Sequence, residues 1–320
     1  MDSQIYQHCQ PFVIGRPNIL RRAIDLLGVD SQVVEVGEDL HEDPSPSRIA
    51  CFTSGSPSAD EAPPGLVDAR GGQAAYDFLL ASTRLVLDGQ ADAIVTAPLH
   101  KGALHSAGHH WPGHTELLAD LCGVQEFAMM LYLPPNKSGR GGPAGLGVIH
   151  VTLHMALRDI FKNLTIATID EKIQLAQKAF TKFRVALGLS PSPALAVAAL
   201  NPHAGEGGLF GDEESKIIAP AVEMAQARGW NVQGPLAVDT LMPRAVAGEF
   251  DAVIAMYHDQ GHIALKLLDM FDAVNITLGL PIIRTSVAHG TAHDVAWQGR
   301  ARASGMVQAI LSAAWLAERH

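Results

Sequence analysis

Leu195-Ala196-Val197-Ala198-Ala199-Leu200-Asn201-Pro202-His203-Ala204-Gly205-Glu206-Gly207-Gly208 reads as a buried strand that runs into a glycine-rich turn carrying a histidine. An unbroken apolar run of this length suits a strand covered on both faces, as in a parallel sheet. The arrangement recurs twice. The apolar stretch 252–257 ends in His258-Asp259-Gln260-Gly261, and Val148-Ile149-His150-Val151-Thr152-Leu153 ends at His154, ahead of a helix expected over 156–162.

Outward from these three stretches, short apolar runs alternate with longer amphipathic ones. Strands are expected over 11–15, 32–36, 93–96, 127–133, 147–152, 195–200, 252–257 and 274–278. Helices are expected over 18–27, 73–87, 169–183, 213–228 and 303–318. In one of them Ile173, Ala176, Phe180 and Phe183 form a single apolar stripe at three-to-four-residue spacing. The alternation predicts an α/β protein with a largely parallel sheet. Two stretches read as loops, 38–64 with its Asp, Ser and Pro, and 134–145 with its Gly and Pro. Gly139-Arg140-Gly141-Gly142-Pro143-Ala144 loosely matches a dinucleotide fingerprint. The next segment reads as a strand where that motif requires a helix, so a hairpin turn is expected instead.

The chain has 320 residues, 48% hydrophobic and 18% charged, enough for a sizeable core in one or two domains. Its net charge of −10, with no long Lys/Arg run, argues against nucleic acid as a partner. The 3 cysteines, Cys9, Cys51 and Cys122, have no paired spacing, which fits a reducing compartment. No apolar run is long enough to span a bilayer and no signal pattern opens the chain. A cytoplasmic protein that does not engage membranes is expected.

Ligands of open α/β sheets bind beyond the carboxyl ends of strands. His154, His203 and His258 are therefore candidates for one catalytic divalent-metal site with an open coordination position. Two alternatives stay open on spacing alone: a helical pair His258 and His262, and a local cluster of His109, His110 and His114. Gly113-His114-Thr115-Glu116 reads as a turn opening a helix, whose free N–H groups suit an anion. Lys266, Asn275 and Arg284 offer two cations and an amide for phosphate or carboxylate. Ala288-His289-Gly290-Thr291-Ala292-His293-Asp294-Val295-Ala296 is a small-residue loop, expected to enter a helix, where a planar ligand can lie against backbone.

Taken together, 201–208 (NPHAGEGG), 257–261 (YHDQG), 275–286 (NITLGLPIIRTS) and 113–116 (GHTE) resemble 4-hydroxythreonine-4-phosphate dehydrogenase, the PdxA family of pyridoxal phosphate biosynthesis. The resemblance runs from about Pro11 to the C-terminus. It implies two α/β/α domains with a cleft between them, similar to isocitrate and isopropylmalate dehydrogenases. The implied domains are a cofactor-side one over 1–120 with 281–320, and a metal, substrate and dimerisation one over 121–280.

The resemblance also implies metal ligands at His154, His203 and His258, with the catalytic role exercised through the metal. Substrate-binding residues would be His114, Thr115, Lys266, Asn275 and Arg284. NAD or NADP would lie against His289, Gly290, Thr291, Ala292 and Asp294. The ion is zinc, magnesium or cobalt, and a homodimer shares its active sites between subunits. The implied reaction is oxidation of 4-phosphooxy-L-threonine with decarboxylation to 3-amino-2-oxopropyl phosphate. Alternatives are a dehydrogenase for 4-phospho-D-threonate or erythronate in sugar-acid catabolism, and a non-catalytic metal- or nucleotide-binding protein. Two departures stand out. The family's opening strand with its Gly-Asp-Pro-Ala-Gly turn is missing ahead of Pro11, and Ala288 stands where the family often has Asp.

Overall fold

The computed structural model describes residues 3–37, 40, 43–136 and 138–318. The chain divides into two compact units, Met1–Gln125 with Leu280–Ala314, and Glu126–Gly279 with Trp315–His320.

The first unit holds two small parallel arrays. β1 (Val13–Gly15), β2 (Gln32–Val36) and β3 (Arg48–Thr53) form a three-stranded sheet in the order β1-β3-β2. β4 (Ala93–Thr96) pairs in parallel with β11 (Ile283–Val287). Leu79, Ile94, Leu117, Leu118 and Ile282 form its buried apolar cluster, which ties the helices Ala69–Leu87 and His114–Leu121 to that strand pair. Gly72 lets two helices touch. A Cβ there would fall 1.9 Å from the Ala103 carbonyl oxygen.

The expectation of a loop over 38–64 is corrected. β3 lies inside it and is the central strand of its sheet, followed by a 3₁₀ segment, Pro57–Glu61. Its Ala50 and Cys51 are buried and its Ile49 and Phe52 half-buried, but Pro and Ser on its flank mask the short run.

The second unit is built on β5 (Ala128–Leu133), β6 (Leu146–His150), β7 (Leu195–Ala198), β8 (Val232–Leu236), β9 (Ala252–Ala255) and β10 (Val274–Leu278), in the order β10-β5-β6-β9-β7-β8. β6, β9, β7 and β8 are mutually parallel, while β5 runs antiparallel to both β6 and β10. The largely parallel sheet thus gains an antiparallel strand. The cause is local: the Gly-rich segment 134–145 returns the chain directly from β5 to β6, and a direct return requires antiparallel pairing. The fingerprint-like Gly139–Ala144 stretch lies in this hairpin connection.

Every residue of β6, β7 and β9 is buried, as their apolar sequences require. Ile173, Ala176, Phe180 and Phe183 on the helix Ile166–Ala186 are fully buried, with Phe183 stacked on Tyr132 of β5 at 4.5 Å. Among the described residues no helix is long and apolar enough to cross a membrane.

Candidate active site

β6, β9 and β7 are adjacent and parallel, so their carboxyl ends emerge on one edge of the sheet. His154 follows β6, His258 follows β9 as the first residue of the helix His258–Leu268, and His203 follows β7. The rings of His154 and His258 lie 5.6 Å apart, centroid to centroid. They share an open hollow of about 540 Å³ with Leu153, Tyr257, Leu157 and Asp259. The Nδ1 edge of His258 meets Asp259 Oδ1 at 2.7 Å, which fixes that ring and leaves Nε2 as its ligating nitrogen.

His203 is presented differently. His203, Ala204, Gly205, Glu206 and Gly207 all adopt positive φ, from 45° to 79°, forming one left-handed turn. Each non-glycine residue in that conformation costs about 1–2 kcal/mol, so the turn persists only where its surroundings impose it. The nearest ring to His203 is Phe210, at 6.5 Å. Among the described residues no group of three His, Cys, Asp or Glu is arranged within one chain so that it could hold a metal ion. The donor set nonetheless fits a divalent ion in chemistry: three imidazoles and no thiolate, all from one edge of one sheet.

The competing histidine sets do not form chelates. His262 lies flat on His258, 3.8 Å apart with 12° between planes, so their in-plane lone pairs do not converge. Its Nδ1 is engaged with His150 Nε2 at 3.0 Å. Burial lowers the pKa of His150 to about 4 and of His262 to about 3, with neighbouring histidines adding to the effect. His109 stacks on Tyr76 at 3.8 Å and its Nε2 meets Gln73 Oε1 at 3.0 Å, while His105, not His109, is the ring nearest His110.

In the first unit, His114 and Thr115 open the helix His114–Leu121, and no side chain caps it. Its first-turn N–H groups are therefore available to an anion. Arg284 on β11 is 1% exposed. Its Nη2 donates to Thr96 Oγ1 at 2.7 Å. Burial lowers its pKa to about 10, opposed by the Glu116 carboxylate. The His114 pKa is pushed to about 3, first by burial and then by the Arg284 charge, with a hydrogen bond to the Ala97 backbone opposing. A neutral imidazole therefore stands beside a buried guanidinium, a pairing suited to an incoming anion.

Lys266 and Asn275 belong to the second unit. Lys266 lies in the last turn of the helix His258–Leu268, close enough for its charge to depress the His262 pKa. Asn275 lies on β10, its Oδ1 buried without a hydrogen-bond partner. That oxygen is chemically able to accept a hydrogen bond from a bound donor.

The loop 288–296 does not enter a helix as expected. It makes only a 3₁₀ turn, His293–Val295, and the next helix starts at Ser304. Ala292 has φ 47°, and Trp297 holds a positive φ of 56° with the Arg22 guanidinium 4.6 Å above its ring. These breaks in backbone direction prevent helical continuation. A Cβ added at Gly290 would meet nothing within 4 Å, and His289, Gly290 and Ala292 are exposed, with Thr291 half-buried. Asp294 is exposed beside it. Such a small-residue surface fits a nicotinamide dinucleotide lying against main chain.

Two supporting residues were not legible as site components. Thr96 accepts a hydrogen bond from Arg284, and Glu214 accepts from the N–H groups of Leu200 and Asn201 just ahead of His203. The paired Glu213-Glu214 just after the Gly-rich turn was the available signal for the second.

Known proteins match the chain over most of its length. A family model described as pyridoxal phosphate biosynthetic protein PdxA matches residues 7–313. The D-threonate 4-phosphate dehydrogenase of Pectobacterium atrosepticum is 48% identical over 254 residues, covering 79% of this chain and 73% of its own. The 4-hydroxythreonine-4-phosphate dehydrogenase of Geobacter metallireducens is 42% identical over 318 residues, 99% of this chain and 89% of its own. The crystal structure of 4-hydroxythreonine-4-phosphate dehydrogenase from Klebsiella pneumoniae superposes with a TM-score of 0.82 at 39% identity, covering 99% of this chain and 95% of that one.

Proposed function

The chain belongs to the PdxA family of dehydrogenases, and from that premise we propose that it oxidises the secondary alcohol of 4-phosphooxy-L-threonine with NAD or NADP. The resulting β-keto acid loses carbon dioxide to give 3-amino-2-oxopropyl phosphate, a step of pyridoxal phosphate biosynthesis. The observation that carries the reading is the emergence of His154, His203 and His258 from one edge of three adjacent parallel strands.

In this reading His154, His203 and His258 hold one divalent ion, zinc, magnesium or cobalt. When bound, the ion would supply Lewis acidity to the hydroxyl oxygen on the carbon that is oxidised. Arg284, Lys266, Asn275, His114 and Thr115 bind the phosphate and carboxylate and orient the reacting carbon. The buried Arg284 contributes a fixed charge, and the uncapped helix start at His114 contributes N–H donors. His289, Gly290, Thr291, Ala292 and Asp294 receive the dinucleotide. The first unit is then the cofactor side, and the second carries the ion and the dimer contact.

A homodimer with shared active sites belongs to the same reading. The exposed Leu157, Phe161, Ile263 and Leu267 give the second unit apolar surface to cover. The protein is assigned to the cytoplasm on the same reading.

A second substrate is favoured by a specific observation. The relatives named D-threonate 4-phosphate dehydrogenase reach 48% identity, against 42% for the Geobacter enzyme. The two substrates share the 4-phosphate, the carboxylate and the oxidised C3 hydroxyl, and differ in the amino or hydroxyl group at C2. Reduction of NAD and NADP is measured with each substrate in the presence of zinc, magnesium or cobalt. Turnover of 4-phosphooxy-L-threonine is the expected result. Turnover confined to D-threonate 4-phosphate replaces the substrate and keeps the chemistry, whereas no turnover on either removes the reading.

A further inference from the structure

The left-handed turn that carries His203 is held by a carboxyl group with no part in the chemistry above. Glu214 is 5% exposed. Its Oε1 accepts from the backbone N–H of Leu200 at 2.9 Å and of Asn201 at 2.7 Å. Its Oε2 accepts from Asn201 Nδ2 at 3.0 Å, and the same amide reaches Glu213 Oε2 at 2.7 Å. The exit of β7 is therefore tied down at both backbone and side chain, immediately before the strained residues begin.

The far side of the turn also rests on this carboxyl. A Cβ at Gly205 would stand 2.8 Å from Glu214 Oε2, so the loop backbone passes directly over it. Glu214 opens a single π turn, Glu214–Ile218, ahead of the helix Ala219–Ala227. Such one-turn π segments recur at functional sites. The turn's own backbone bonds, from Phe210 N–H to the Gly205 carbonyl at 3.2 Å and from Leu209 N–H to the Glu206 carbonyl at 3.4 Å, restrain it downstream of His203, and the Glu214 carboxyl restrains it upstream, at Leu200 and Asn201.

We propose that Glu214 is the positioning residue for His203: by clamping Leu200, Asn201 and the underside of Gly205, it sets where that imidazole stands to bind a divalent ion. The proposal rests on the reading of His203 as an ion ligand. Glu214→Gln tests it with little change of volume. One acceptor becomes an NH2 group, so it must face either the two backbone N–H groups or the Asn201 amide, and donor meets donor.

Asp251 supplies the control for a purely structural clamp. It too is 5% exposed and accepts from the Ala194 N–H at 2.7 Å and from Arg184 Nη1 at 3.0 Å. It works at the opposite end, where β7 and β9 begin.

Cobalt(II) binding to the full-length protein is measured by calorimetry and by visible absorption, alongside the thermal midpoint, for the unaltered protein, E214Q, D251N and H203A. The expected result is a 10- to 100-fold weaker cobalt affinity in E214Q, roughly the effect of losing an outer-shell partner, with an altered ligand-field spectrum. D251N should lose thermal stability and keep its cobalt affinity. Unchanged cobalt binding in E214Q beside loss in H203A overturns the proposal, as does an equal loss in D251N, which would mark general destabilisation. Full cobalt affinity in H203A removes the ligand reading itself, and the proposal with it. Should E214Q not fold, Gly205→Ala presses on the same carboxyl from the loop side, and unchanged cobalt affinity there is equally fatal.

Discussion

His262 is hydrogen-bonded through Nδ1 to Nε2 of His150 at 3.0 Å, and both rings are buried. Only one proton can occupy that bond. The other nitrogen of His150 faces the Met129 carbonyl at 3.5 Å, so it carries the His150 proton and His262 supplies the proton between the rings. Because His262 also lies flat on His258, the pair forms a rigid platform beneath a proposed metal ligand.

Removing both members of that pair should therefore cost less than the two single removals added together. His150→Leu or His262→Leu alone leaves a buried ring nitrogen without its partner, a loss of about 1–3 kcal/mol. The double variant removes both polar groups and should be less destabilised than the sum of the singles. Urea unfolding of the four proteins gives the coupling directly, and strict additivity would show that the bond does not operate in the folded protein.

Acid should destabilise the protein earlier than its carboxylates require. Burial lowers the folded pKa values of His114, His150 and His262 to about 3, 4 and 3, from 6.5. The unfolded chain then binds more protons, so stability is complete above about pH 6.5 and falls below it. Each histidine contributes a slope of up to about 1.4 kcal/mol per pH unit. Thermal midpoints of metal-free protein should be level from pH 7 to 8 and drop steadily from pH 6.5 toward 4.5. His114→Asn should make that decline shallower, and a flat profile to pH 5 contradicts the assignment.

Much of this architecture was legible because hydrophobicity and periodicity agreed. The stripe Ile173, Ala176, Phe180 and Phe183 is buried as its spacing requires, and the three histidine-bearing strand ends belong to β6, β7 and β9. β11 shows where such reasoning stops. Arg284, Thr285 and Ser286 are polar yet buried, because Thr285 Oγ1 donates to the Ala309 carbonyl at 2.8 Å and Ser286 Oγ to the Thr96 carbonyl at 3.1 Å. A hydropathy pattern records apolar burial and is blind to polar burial satisfied by hydrogen bonds. β3 was hidden differently, by the Pro and Ser before it. Residue pairs such as His150 and His262, far apart in the chain, leave no spacing signal at all.

Thr96 should matter to substrate binding although the family resemblance does not single it out. Its hydroxyl accepts from Arg284 Nη2 at 2.7 Å inside the core. Thr96→Val leaves that donor facing a methyl group, a cost of about 1–3 kcal/mol, and lets the guanidinium reorient. KM for the phosphorylated substrate should rise about tenfold, the equivalent of 1.4 kcal/mol, with the dissociation constant for the dinucleotide unchanged. Thr96→Ser restores the acceptor and should restore KM. Steady-state kinetics with direct dinucleotide titration separates the two, and an unaltered KM in Thr96→Val would release Arg284 from its proposed role.

The sharing of sites between subunits can be tested with two inactive proteins. His154 and His258 stand 5.6 Å apart, while His203 forms no three-member group with them among the described residues of one chain. If a second copy supplies His203, an H203A chain still offers His154 and His258, and an H154A chain still offers His203. A dimer of one of each then contains one complete donor set and one that lacks two ligands. Random exchange makes half of all dimers mixed, so an equimolar mixture should recover about a quarter of the unaltered activity. The variants are mixed after partial unfolding and refolding, and activity is followed as the subunits exchange. If all three ligands belong to one chain, neither variant can complete the other and the mixture stays as inactive as its components.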